Sequence, residues 1–166
     1  MGIFSNLMNP QQTTIQGSVL PVAARNEIMA NRLPQLNTDT IFLQQGEICS
    51  YIDKAILNIK LKKRMSRHTG VSAPGLFKGH RVHTGMTKPI EYEELKQQKG
   101  ILYITNKRLI FQAPENAFEK QHRYLSSIAP YSNAVVLQYG QKMFELIVPD
   151  GAVVNQVLQL VNRKRG

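Results

Sequence analysis

The feature that most constrains this chain is a series of short apolar runs in its C-terminal part, followed by one helical stripe. The runs are Ile101–Ile104, Leu109–Phe111, Glu119–Leu125, Ala134–Tyr139 and Met143–Val148, each cut off by polar or glycine-containing turns. Runs of this length at this spacing predict β-strands in an antiparallel sandwich or barrel. Beyond Pro149 the period changes: Val153, Val154, Val157, Leu158 and Val161 recur three and four residues apart, the pattern of a helix with one apolar face. Asp150 can accept hydrogen bonds from the first-turn amides, and Arg163 to Arg165 complement the negative end. Such a stripe needs a sheet to cover, so the helix is expected to close the barrel.

Upstream the signals are more varied. The turn Thr105–Arg108 joins Ile101–Ile104 to Leu109–Phe111 as a hairpin, with Asn106 able to take a left-handed backbone. Gly46–Leu61 is rich in β-branched residues and predicts a long strand with a bulge near Asp53, and a second strand is expected around Leu76–His83. Val22–Leu33 lacks Gly and Pro and predicts a helix ending before Pro34. The expected organisation is an N-terminal extension with one helix, residues 1–42, and a mainly β domain, residues 43–166. With 166 residues and 42% hydrophobic content, the chain suits one compact domain rather than a two-domain enzyme.

The charge is concentrated. Of a formal net +10, the stretch from Lys54 to Ile90 carries Lys54, Lys60, Lys62, Lys63, Arg64, Arg67, Lys78, Arg81 and Lys88 with no Asp or Glu. A basic segment without local acids attracts anionic partners: lipid head groups, an acidic protein surface or nucleic acid. Nucleic acid is the weakest of these, because Phe77 is the one aromatic in the segment and stacking platforms use several.

Groups suited to catalysis are sparse. Cys49, the single cysteine, can form no intrachain disulfide, and its apolar neighbourhood reads as a buried thiol rather than a nucleophile. His68, His80, His83 and His122 lack the paired spacings of zinc sites and read as polar surface residues. Glu91, Glu93 and Glu94, beside Tyr92 and Lys96, read as a solvated turn or short helix. No run approaches the roughly 20 apolar residues of a membrane-spanning helix. The expectation is therefore a cytoplasmic, non-catalytic protein with no cofactor and no metal.

The stretch Gly100-Ile-Leu-Tyr-Ile-Thr-Asn-Lys-Arg-Leu-Ile-Phe111 resembles the G-x-L-x-x-T-N-x-R-h-h-F hairpin, with h apolar, of pleckstrin-homology-like domains of the GRAM and bacterial types. The resemblance covers roughly Leu43 to Asn162. It implies a bent antiparallel barrel of about seven strands closed by a C-terminal α-helix, with the fifth strand at Tyr124–Ile128 and the N-terminal helical extension outside the barrel. It also implies a binding or adaptor module that works without catalysis. In lipid-binding relatives, bases flanking the loop between the first two strands grip inositol phosphates. Lys60, Lys62, Lys63, Arg64 and Arg67 stand before that loop here, and Lys78, His80 and Arg81 after it. Their spacing departs from the usual lipid motif and suits a looser electrostatic hold, about 1 kcal/mol per base near a membrane. The implied partner is an anionic membrane surface, with the protein peripheral to it, or an acidic protein. The alternative is a structural subunit that docks on a partner or forms a homo-oligomer through residues 1–42.

Overall fold

The computed structural model describes residues 15–67 and 88–165, with side chains at 15–62 and 91–163. The fold is mainly β, with seven antiparallel strands in one sheet, a short N-terminal helix and a longer C-terminal one. The strands are β1 (Cys49–Arg67), β2 (Lys88–Thr105), β3 (Arg108–Gln112), β4 (Phe118–Gln121), β5 (Leu125–Tyr131), β6 (Ala134–Tyr139) and β7 (Lys142–Ile147). The helices are α1 (Val22–Met29) and α2 (Gly151–Arg165), and a 3-10 turn at His122–Tyr124 links β4 to β5. The sheet order β4-β3-β2-β1-β7-β6-β5 leaves β4 and β5 as its two edges. The sheet bends on itself, because the Phe118 ring of edge strand β4 stacks on Phe144 of β7 with centroids 4.0 Å apart. Seven antiparallel strands closed by a C-terminal helix are what the pleckstrin-homology-like resemblance implied.

The chain divides into two compact units. One comprises the described residues up to Ile59 together with Gln97 onward; the other is Lys60–Lys96. The core of the first contains Tyr51, Leu57, Leu102, Ile104, Leu109, Phe111, Leu137 and Leu146, the inward residues of alternating strands. Helix α2 seals it with all five residues of the expected stripe, each buried. Asp150 caps this helix: its Oδ1 accepts from the Ala152 amide at 3.0 Å. Gly151 sits so close to the carbonyl oxygens of Tyr131 and Ala134 that a Cβ there would collide with backbone. Helix α1 enters the same core through Ala24 and Ile28, and Leu20 is buried beside them.

Several elements depart from the sequence expectation. Helix α1 ends at Met29 rather than Leu33, because Asn31 takes a left-handed backbone at φ 66° and turns the chain. Strand β1 begins at Cys49 and runs unbroken past Asp53. Asp53 marks no bulge; its carboxylate accepts from Ser18 Oγ and, at 2.8 Å, from the Val19 amide, pinning the incoming chain to β1. Ile101–Ile104 is the end of the long β2, and the strand expected at Leu76–His83 lies outside the described residues. Glu119–Leu125 divides into β4 and the 3-10 turn. Strand β5 carries Pro130, which an edge strand tolerates because it needs ladder bonds on one side only.

Candidate functional site

The residues of the hairpin signature turn out to hold the chain together. Segment 42–48 crosses the β2–β3 turn, and nearly every polar atom of Thr105, Asn106 and Arg108 is used to keep it there. Arg108 Nε donates to Glu47 Oε2 at 2.9 Å, Nη2 to Glu47 Oε1 at 3.1 Å, and Nη1 to Glu119 Oε2 at 2.6 Å. Nη2 also reaches the Phe42 carbonyl at 2.7 Å. Thr105 Oγ1 donates to Glu47 Oε2 at 2.6 Å and accepts from the Lys107 and Arg108 amides, closing the turn. The Glu47 side chain is fully buried. Burial alone would raise its carboxyl, but hydrogen bonds from Arg108, Thr105 and the Gln44 amide, with the Arg108 charge, hold it below the ordinary glutamate range. The same partners push the Arg108 guanidinium up.

Asn106 works through its side chain rather than through a left-handed backbone. Its Oδ1 accepts from the Ile48 amide at 2.8 Å and its Nδ2 donates to the Gly46 carbonyl at 3.1 Å, while its φ is not positive. His122 is likewise not a surface residue. It is 1% exposed, with Nε2 donating to the Thr105 carbonyl at 2.6 Å, which links the 3-10 turn to the same hairpin. His68, His80 and His83 lie outside the described residues. Cys49 is buried, and burial pushes its thiol up to about 11, so it is a poor nucleophile at neutral pH. Among the described residues no cluster of three or more His, Cys, Asp or Glu is placed to hold a metal.

Lys60 and Lys62 lie two apart on β1, on one face of the strand, and both are exposed. The backbones of Lys63, Arg64 and Arg67 continue that strand, with their side chains outside the described residues. Lys78, His80 and Arg81 lie outside the described residues altogether. The structure therefore brings five of the eight candidates onto one strand.

It also adds something the charge count missed. Glu91, Glu93 and Glu94 form no turn or short helix; they are exposed residues of β2, the sheet neighbour of β1, within the same unit Lys60–Lys96. Carboxylates on the adjacent strand temper the field of any β1 base that lies within about 10 Å of them at moderate salt. Reading the stretches flanking the segment as the two arms of a hairpin would have found them.

Near the β2–β3 turn lies a cleft of about 570 Å³ that no sequence signal marked. It is lined by Gln44, by Asn106, Lys107 and Arg108 of the turn, and by residues of β4 and the 3-10 turn, Lys120, Arg123 and Tyr124 among them. Lys107 Nζ is tied to the Gln45 carbonyl at 2.7 Å and Arg108 is held by its two carboxylates. The Arg123 guanidinium lies over the Tyr124 ring, 4.7 Å from its centroid.

No family model and no curated protein sequence matches the chain. Among solved structures it is similar to the Vps36 N-terminal PH domain, with a TM-score of 0.46 and 11% identity over 80% of this chain and 92% of that one. The fold description stands on the strand order and the closing helix. Among the described residues no helix is long and apolar enough to cross a membrane.

Proposed function

We propose that the chain is a non-catalytic, pleckstrin-homology-like binding module of the GRAM and bacterial type, and that its basic segment holds an anionic membrane surface. The observation that carries this reading is the exposure of Lys60 and Lys62 on β1, within the acid-free stretch from Lys54 to Ile90. In this reading Lys63, Arg64, Arg67, Lys78, His80 and Arg81 add their charge to the same hold, and the protein is peripheral to the membrane. The β2 carboxylates suit a loose, salt-sensitive hold rather than a tight inositol phosphate pocket.

Docking through the N-terminal extension is the alternative reading: Leu20, Ala24 and Ile28 are spent in the chain's own core, while Val19, Val22, Met29 and Phe42 are exposed to a partner.

The test is sedimentation with phosphatidylserine-containing vesicles at low and high salt. At about 1 kcal/mol per base, the triple variant Lys62→Glu, Lys63→Glu, Arg64→Glu is expected to bind at least about a hundredfold more weakly, and high salt to release the wild type. Equal sedimentation of wild type and variant rejects the membrane reading; failure to bind vesicles with charge-dependent capture of an acidic protein turns it toward a protein partner.

A further inference from the structure

The geometry points to a second binding site, independent of the basic segment: the cleft between the β2–β3 turn and β4, which takes an acidic peptide in extended conformation. Four observations converge on it. The first is unspent charge. Lys107 and Arg108 are occupied within the fold, whereas among the described residues neither Lys120 nor Arg123 has an ion-pair partner, and both line the cleft. The Arg123 guanidinium, its carbon 4.7 Å from the Tyr124 ring centroid, can receive a carboxylate through two parallel hydrogen bonds.

The second is the sheet edge. β4 is a terminal strand, paired with β3 on one side, so alternate residues aim their amide and carbonyl groups away from the sheet. Glu119, Lys120 and Gln121, three of its four residues, line the cleft, so a strand that paired with β4 would run beside the two bases.

The third is shape. A volume of about 570 Å³ is within the range of ligand clefts and well beyond a single phosphate. A bilayer is too flat to enter a cleft, and one exposed ring, Tyr124, falls short of the several that single-stranded nucleic acid stacks on. The fourth is an apolar neighbour of a lining residue: Phe42, whose carbonyl is held by Arg108, is 93% exposed, and Leu43 beside it is exposed as well. An exposed phenylalanine next to free bases suits a partner that alternates acidic and apolar side chains.

The probe is a fluorescein-labelled peptide of alternating Glu and Val, about eight residues long, the length of an ordinary strand. Fluorescence polarisation is measured on the full chain. The variant Lys120→Gln, Arg123→Gln is expected to bind at least about tenfold more weakly, and the triple charge reversal in the basic segment to bind as the wild type does. A peptide of the same charge with proline in place of valine, which has lost every second amide donor and is disfavoured as a paired strand, is expected to bind weakly. Should the double variant fail to fold, amide shift mapping on the wild type decides: peptide-induced shifts confined to Lys107 and Glu119–Tyr124 support the site. Unchanged affinity in the folded double variant, equal binding of the proline peptide, loss of binding in the basic-segment variant, or shifts centred elsewhere would each overturn it. So would a double variant that loses vesicle binding while keeping the peptide, since the occupant is then a membrane.

Discussion

Two parts of the same sheet treat charge in opposite ways. At the β2–β3 turn, Arg108 is met by Glu47 and Glu119, and Thr105 and Asn106 complete a network that excludes water from the Glu47 side chain. Along the outer lengths of β1 and β2, Lys60 and Lys62 stay exposed and so does every residue from Glu91 to Lys96. The difference lies in the covering chain: segment 42–48 folds over the turn. A charge shut away from water must be paired and fully hydrogen-bonded to be tolerated, so the turn is specific and brittle. Exposed charges interact weakly with their neighbours, and Lys60 and Lys62 stay open to a partner, so the outer length of β1 is soft in stability and suited to contact.

The largest effect should come from breaking the covered network. Glu47→Ala leaves Arg108 beside an empty, partly desolvated site and is expected to cost about 3 kcal/mol in chemical denaturation; a loss no greater than that of an exposed carboxylate would erase the distinction between the two regions. A smaller effect follows from acid. The Glu47 carboxyl is held below its ordinary value of 4.5, so the stability it contributes is present above that pH and is lost as pH falls through its lower folded value. Denaturation midpoints followed from pH 6 downward should show a component that Glu47→Gln, which keeps hydrogen bonds to Arg108 but cannot ionise, removes. The smallest effect is expected on the outer strands, where Lys62→Ala and Glu93→Ala should leave the midpoint unchanged within error. A clear shift there would show that these charges stabilise the hairpin rather than face a partner.

Much of the architecture was legible because strand and helix periods are local. Ala134–Tyr139 matches β6 residue for residue, and the five apolar residues of the closing stripe are all buried, since each pattern is written within a dozen neighbouring positions. The roles of Asn106, His122 and the three glutamates were not legible. Asn106 serves segment 46–48, nearly sixty positions earlier, and His122 is buried by a turn folding back on Thr105. The glutamates fall just beyond the acid-free stretch in sequence but on the strand that neighbours β1 in the sheet. The cleft had no signal either, because its lining comes from three separate stretches of chain.

The sequence by itself settled the kinds of element, the closing helix and the uneven distribution of charge, because propensity, periodicity and composition belong to neighbours along the chain. Which charges are spent inside the fold and which remain for a partner was decided by the tertiary structure alone. Pairing depends on what lies within a few ångströms, and strands distant in sequence supply those neighbours only once the sheet has formed.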